Sequence, residues 1–311
     1  MTQRVLVTGG AGFIGSHQVE ALLARGYEVC VLDSLTMGKR AWLSPDVEFV
    51  EGDIRDLEAC RRAMQRCTGV FHLAAMSRSA ASLDNVDICT SNNIIGTQNI
   101  LTAAREAGAR KVVYAGSSTY YGNQKPPHTE DMQPEFLNFY GLSKYVAEEY
   151  CRLFDKTCDL PANVMRYFNV YGPRLSGEGA YALVMSIFLR QKREGKPLTI
   201  HGDGLQSRDF VHVRDVCRAN ILAFESELHG RTYNVGSGTT VTVKELANKI
   251  SPDQIHEDRR AGDSTATLAD ISRIKAELGW SPEVSFEEGM KELLAEVSET
   301  AKTGAVQHAG S

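Results

Sequence analysis

Tyr140 and Lys144, in Tyr140-Gly141-Leu142-Ser143-Lys144, stand four residues apart and so share one face of a helix. Such a pair is common, and alone it describes no more than a surface. Upstream, a strand pattern, Val112-Val113-Tyr114-Ala115, runs into Gly116-Ser117-Ser118-Thr119. Hydroxyls are thereby placed where a parallel strand ends, which is where open α/β sheets bind their ligands. A serine there, with Tyr and Lys on the next helix, makes a proton-transfer set. A phenol has a reference pKa of about 10, so Tyr140 needs nearby positive charge to act as a base near neutrality. Lys144 supplies part of that field. Ser117, Tyr140 and Lys144 are the candidate catalytic residues.

A second constellation lies near the start, in Val7-Thr8-Gly9-Gly10-Ala11-Gly12-Phe13-Ile14-Gly15. It satisfies GxGxxG through Gly10, Gly12 and Gly15, and GxxGxxG through Gly9, Gly12 and Gly15. Glycines at this spacing permit a tight turn, a close backbone approach to a pyrophosphate, and packing of helix on strand. The helix N-terminus then offers free N–H groups to the phosphates. Asp33 closes Val29-Cys30-Val31-Leu32, 18 residues after Gly15, where an acidic residue accepts ribose hydroxyls. Turn, strand, helix and acid together predict a dinucleotide site. The carboxylate repels a 2′-phosphate and favours NAD over NADP, with Lys39 and Arg40 close enough to moderate that preference. An oxidised nicotinamide ring adds to the positive charge that Tyr140 needs. Asp53, in Glu51-Gly52-Asp53-Ile54, ends the third strand pattern; it is either a partner for the adenine amine or a plain capping residue.

The elements that must position these residues are legible as alternating short apolar runs and helix-length segments. The runs are Val5-Leu6-Val7, Val29-Cys30-Val31-Leu32, Val47-Glu48-Phe49-Val50, Val70-Phe71-His72-Leu73 and Lys111-Val112-Val113-Tyr114. Apolar strands between helices predict a parallel sheet covered on both faces, a Rossmann-type doubly wound α/β fold. A long helix is expected over 140–156, before the strand Ala162-Asn163-Val164-Met165-Arg166-Tyr167. The texture then changes at Tyr171-Gly172-Pro173. The expected organisation is a cofactor domain over 1–170, rejoined by part of 208–236, a smaller mixed substrate domain over 171–300, and a flexible tail over 301–311.

The chain has 311 residues, 34 basic and 39 acidic, for a net charge of −5. With no Lys/Arg cluster, a generic nucleic-acid or anionic-membrane surface is not expected. No apolar run reaches the roughly 18 residues of a membrane span, and the strand-like start leaves no room for a signal peptide. Seven cysteines without a CxxC pair suit a reducing, cytoplasmic setting, and eight histidines show no metal spacing.

In these motifs the chain resembles the extended short-chain dehydrogenase/reductases, specifically the nucleotide-sugar epimerases and dehydratases. The resemblance covers about residues 4–295. It is carried by the glycine turn, Asp33, Gly52-Asp53-Ile54, His72-Leu73-Ala74-Ala75, Asn92-Asn93-Ile94-Ile95-Gly96-Thr97, Ser117 and the Tyr140/Lys144 pair. It continues through Arg166-Tyr167-Phe168-Asn169-Val170-Tyr171-Gly172-Pro173-Arg174, Gly202-Asp203-Gly204-Leu205-Gln206-Ser207-Arg208-Asp209-Phe210, Arg260-Ala261-Gly262-Asp263 and Leu278-Gly279-Trp280. The resemblance implies NAD held by Gly9, Gly12, Phe13, Ile14, Gly15, Asp33, Asp53, Ile54, Leu73, Ala74, Ala75, Asn92, Tyr140 and Lys144. Tyr140 would be the base, Lys144 would hold the nicotinamide ribose, and Ser117 would bond the reacting sugar oxygen. Asn169, Arg208 and Arg260 would meet the nucleotide diphosphate, with Asp263 near its ribose and Ser118 and Thr267 beside the sugar. The helices over 93–107 and 140–156 resemble those that pair two subunits, so a homodimer is implied.

Sugar 4,6-dehydratases of this kind carry an Asp-Glu pair just ahead of a Val-Tyr-Gly. Here Ser118 and Thr119 stand there, before Tyr120-Tyr121-Gly122. The missing carboxylates favour a 4-epimerase acting on a UDP-hexose or UDP-N-acetylhexosamine through a 4-keto sugar. Thr267, before Leu268-Ala269-Asp270, is small enough to leave room for an N-acetyl group. A dehydratase, a C2-epimerase or a decarboxylase of the same family is the alternative, and a non-catalytic NAD-binding sensor the remote one. Two segments depart from the family pattern: Met76-Ser77-Arg78-Ser79-Ala80-Ala81-Ser82, and Phe139 where proline is usual. Arg78 would be either a partner for an acidic or phosphorylated group or a solvated surface residue.

Overall fold

The computed structural model describes residues 3–77, 79, 81–175, 184–258 and 265–296. Arg78, Arg260, Asp263 and the 301–311 tail therefore lie outside the described residues. The first elements are β1 (Arg4–Thr8), α1 (Phe13–Ala24), β2 (Glu28–Asp33), β3 (Glu48–Glu51), α2 (Leu57–Met64) and β4 (Gly69–His72). Two short helices follow, α3 (Ala81–Asp84) and α4 (Val86–Thr90), then a π turn at Ser91–Ile95 that leads into α5 (Gly96–Glu106). β5 (Lys111–Ser117), α6 (Phe139–Thr157) and β6 (Ala162–Tyr167) complete this run.

Seven parallel strands form one sheet in the order β3-β2-β1-β4-β5-β6-β11, the last being Arg231–Val235. Alternation along each strand builds the core on both faces. Val5, Val7, Val31, Phe71, Val113 and Met165 point to one side, with Val19 and Leu22 of α1 and Val216 and Phe224 of α8 (Val213–Glu225). Leu6, Leu32, Val70, Val112 and Val164 point to the other, with Ala63 of α2, Ile100 and Ala104 of α5, and Ala147 and Cys151 of α6. This is the doubly wound sheet the apolar runs require. The chain leaves β1 to one side for β2 and β3, and returns on the other side to β4. The crevice at that reversal, at the carboxyl ends of β1 and β4, is where such sheets take ligands.

Past β6 the chain runs through β7 (Asn169–Tyr171), α7 (Val184–Arg193), β8 (Leu198–His201), β9 (Ser207–Arg208) and β10 (Phe210–His212) before α8. After β11 come β12 (Val241–Thr242), α9 (Val243–Ile250), β13 (Gln254–Glu257), α10 (Ser272–Leu278) and a helical stretch over 286–296. Small two-stranded pairings join β7 to β10, β9 to β12 and β8 to β13. A separate core of Met185, Phe188, Leu198, Ile200, Leu246, Ile250, Met290 and Leu293 holds these elements together. Among the described residues no helix is long and apolar enough to cross a membrane.

Candidate active site

The glycine turn is as tight as its spacing predicts. Gly9 adopts a left-handed φ of +67° and donates its N–H to Leu32 O at 2.8 Å, while Gly12 N donates to Gly9 O at 3.0 Å. A Cβ on Gly15 would lie 2.0 Å from Gly9 O, and one on Gly9 would lie 2.8 Å from the Ala74 backbone. α1 starts at Phe13 without a side-chain cap and with no acidic residue in its first turn. Its N-terminal dipole and N–H groups thus face the turn unopposed by carboxylate. Phe13 and Ile14 are partly buried against the core under α1. Asp33 Oδ2 accepts Ala11 N at 2.9 Å, and Oδ1 accepts Leu35 N at 2.8 Å. Burial raises this carboxyl above the usual range, and the two backbone N–H groups pull it back. Gly15→Ala is expected to weaken dinucleotide binding by roughly 10–100-fold, the effect of about 1–3 kcal/mol of overpacking. Titration of the cofactor-free protein with NAD measures this; an unchanged Kd would contradict the packing argument.

The segment after β4 is set by a buried chain of hydrogen bonds. Thr8 Oγ1 lies 2.7 Å from His72 Nδ1, and His72 Nε2 lies 3.0 Å from Thr97 Oγ1, which donates to Asn93 O at 2.6 Å. Thr97 has spent its proton, so His72 Nε2 carries the ring proton and Nδ1 accepts from Thr8. Burial pushes the His72 pKa down to about 3, which keeps the ring neutral. Thr8 Oγ1 in turn accepts Leu73 N at 3.2 Å and Ala74 N at 3.1 Å. Leu73 and Ala74 are thereby held beside Gly9, and Ala75 follows them in the chain.

Asn92, expected at the cofactor, is half-buried. Its side chain donates to Ile88 O at 3.0 Å, within its own helix. Asn93 instead is buried and grips both peptide groups of Met76, accepting N at 2.8 Å and donating to O at 3.1 Å. The π turn at Ser91–Ile95 re-phases the helix by one residue, which no spacing rule reveals. Asp53 is engaged by Arg55, which donates from Nε at 3.0 Å and Nη2 at 2.6 Å and lowers the carboxyl pKa. Ile54 is buried against Gly96, where a Cβ would come within 2.5 Å of its Cδ1.

Tyr140 and Lys144 lie on one stripe of α6, as their spacing requires. Asn138 caps this helix by accepting Gly141 N at 2.8 Å. The buried Lys144 sets its ammonium 4.2 Å from the centroid of the Tyr114 ring, and burial pushes its pKa down to about 7. Burial raises the Tyr140 phenol, and a hydrogen bond with Ser117 opposes the rise. Ser117 Oγ accepts Thr119 Oγ1 at 2.9 Å and Thr119 N at 3.3 Å. With both acceptor sites engaged, its own proton is left to point toward Tyr140 or a ligand oxygen. Ser118 follows, half-buried, in the 3₁₀ turn Ser118–Tyr121.

Among the described residues expected on the substrate side, Asn169 and Thr267 are in direct contact. Tyr167 of β6 pairs with Ser117 in register, and Asn169 follows two residues later. Asn169 Nδ2 donates to Asp209 O at 2.9 Å and to Thr267 Oγ1 at 3.3 Å. Arg208 Nη1 donates to Ser207 O at 2.9 Å. Three residues were not singled out from sequence. Asp209, fully buried, accepts Ser237 N and Oγ, Gly238 N and Ala269 N. Glu148 and Arg166 form a buried ion pair at 2.7 Å beneath α6. All three fall in motifs or helices the sequence marks, but their partners are distant in the chain.

Among solved structures, the UDP-glucose 4-epimerase of Thermotoga maritima, determined with UDP-glucose, superimposes with a TM-score of 0.92. It is 36% identical, and the match covers 96% of this chain and 99% of that one. The Thermus thermophilus UDP-glucose 4-epimerase in complex with NAD gives 0.89 at 36% identity, covering 95% and 99%. A putative UDP-glucose 4-epimerase of Methanocaldococcus jannaschii is 36% identical over 299 residues, 93% of this chain and 97% of its own. Residues 5–236 match the family described as NAD dependent epimerase/dehydratase. Fold, glycine turn and sequence agree: the chain belongs to the NAD dependent epimerase/dehydratase family.

Proposed function

We propose that the chain is an NAD-dependent 4-epimerase of a nucleotide sugar, a UDP-hexose or UDP-N-acetylhexosamine. The Gly9–Gly15 cradle, which leaves no space for a Cβ at Gly15, and the Asp33 carboxylate at the end of β2 fit the cofactor. NAD, when bound, supplies the hydride acceptor for C4 and the positive charge of its ring. Tyr140 Oη takes the proton of the C4 hydroxyl, and Ser117 Oγ donates to the same sugar oxygen. Lys144 holds positive charge beneath Tyr140 and offers N–H groups to the nicotinamide ribose. Asn169, Arg208, Arg260, Asp263 and Thr267 are the candidate groups for the diphosphate, ribose and sugar. The single observation carrying epimerisation over dehydration is Thr119. It stands where a dehydratase has a carboxylic acid, and its hydroxyl is committed as a donor to Ser117. The proton set is then complete for oxidising C4 and reversing that step, with no acid placed there to expel water.

In this reading residues 1–170 with part of 208–236 hold the cofactor, and most of 171–300 holds the sugar nucleotide. Exposed Ile88, Ile95, Leu142 and Leu153 on α4, the π turn and α6 support a homodimer built on these helices. Seven free cysteines are compatible with a cytoplasmic location. Incubation with UDP-glucose, UDP-galactose and their N-acetyl forms is expected to interconvert C4 isomers without added NADH. Accumulation of a 4-keto-6-deoxy sugar would overturn the epimerase reading in favour of a dehydratase.

A further inference from the structure

Resting on the assignment of Tyr140 as the base, we propose that Ser82 is a positioning residue for it. It grips the Tyr140 peptide N–H from the segment after β4, while Ser143 grips the Tyr140 carbonyl from within α6. Tyr140 is the second residue of α6, and first-turn N–H groups have no partner inside the helix. The Asn138 side chain caps the Gly141 N–H, not that of Tyr140. The Tyr140 N–H goes instead to Ser82 Oγ at 3.0 Å, across 58 residues of chain. Ser82 is fully buried, and its own proton is spent on Ser79 O at 2.5 Å, so a lone pair is fixed toward Tyr140.

The other side of Tyr140 is held as firmly. Ser143 Oγ donates to Tyr140 O at 2.9 Å and accepts Asn93 Nδ2 at 2.9 Å. Asn93 also binds both peptide groups of Met76. Met76 and Ser82 thus reach the two peptide groups of Tyr140, one through Asn93 and Ser143, the other directly. A helix end otherwise frays, and a phenol on a fraying turn would wander from Ser117 and Lys144. Met76 and Ser82 have a definite task in this arrangement: they fix where the phenol stands.

The test is Ser82→Ala in the NAD-loaded protein, with kinetics and amide hydrogen exchange read side by side. A misplacement of 1 Å can cost on the order of 100-fold, and loss of one of two anchors is expected to lower kcat by about 10-fold. KM should stay within about twofold, since the substrate contacts are elsewhere. The acid limb of the kcat/KM profile, which reports the sugar-free enzyme, should move to higher pH, because there a phenol displaced from Ser117 loses the hydrogen bond that lowers its pKa. Amides of 139–145 should exchange at least about tenfold faster, whatever the substrate, as the opening free energy of the first turn falls. Unchanged exchange of that peptide overturns the clamp. So does a kcat within twofold of wild type, or a lower kcat with an unmoved pH profile. If wild type fails to interconvert UDP-sugars, the functional assignment falls instead, and the exchange measurement still decides whether Ser82 anchors Tyr140.

Discussion

Tyr140→Phe is expected to remove turnover of the nucleotide sugar while leaving NAD bound. The substitution deletes one oxygen from a half-buried side chain on a capped helix, so the fold and the glycine turn are untouched. What disappears is the proton acceptor, and general-base catalysis of this kind contributes roughly 10²–10⁴-fold. The Lys144 nitrogen lies against the Tyr114 ring, and in the proposed mechanism it favours the ionised phenol. The pH dependence follows with a definite sign. A base works in its deprotonated form, so wild-type turnover should rise as pH climbs through the Tyr140 pKa in the complex. Burial holds that pKa up; in the sugar-free enzyme the Ser117 hydrogen bond lowers it, and a bound cationic nicotinamide ring would lower it further. In the Phe variant this limb should vanish from whatever activity is left. Initial rates by chromatography of the sugar nucleotides, and NAD released on denaturation, measure both halves. Residual turnover within tenfold of wild type would mean that another group takes the C4 proton.

The parts legible in the sequence are those whose partners are close along the chain. Gly9, Gly12 and Gly15 act on one another within a single turn, and their spacing alone specifies the contact. Tyr140 and Lys144 share a helix face for the same reason. The continuous apolar runs of β1, β2 and β5 are likewise local, so a sheet covered on both faces is legible from them. The parts that escaped depend on register or distance. Asn92 and Asn93 are adjacent and chemically identical, and only the π turn decides which one reaches Met76. Asp209 sits in a motif, but its four donors come from Ser237, Gly238 and Ala269, which no periodicity brings together. Thr119 reads as a substitution for a missing acid; that its hydroxyl completes the acceptor shell of Ser117 is visible only in three dimensions.

Glu148 and Arg166 extend the same point to energetics and lead to the largest stability effect expected. Glu148 lies four residues beyond Lys144 on the Tyr140 stripe of α6, in the partly charged run Glu148-Glu149-Tyr150-Cys151-Arg152. The side chain is 2% exposed and faces an Arg166 guanidinium that is 0% exposed. Arg166 donates to both carboxylate oxygens, from Nη2 at 2.7 Å and Nε at 3.1 Å, and Nη1 reaches Tyr121 OH at 3.0 Å. The guanidinium also lies 3.6 Å from the Tyr120 ring centroid. Glu148→Leu would leave this cation buried without a counter-charge and is expected to cost about 3–5 kcal/mol. Arg166→Met should cost less, because Arg152 Nη2 at 2.5 Å still neutralises Glu148. The double variant Glu148→Leu/Arg166→Met should recover most of the loss, since a buried ion pair replaced by apolar groups of similar volume is often neutral or better. Denaturant unfolding of the four proteins gives the cycle, and a single Glu148→Leu cost below about 1 kcal/mol would show the pair to be solvated after all. Activity of the double variant then separates two roles. If stability returns and turnover does not, the ion pair sets the rotation of α6 and hence the aim of Tyr140 and Lys144; if both return, the pair only satisfies its own burial.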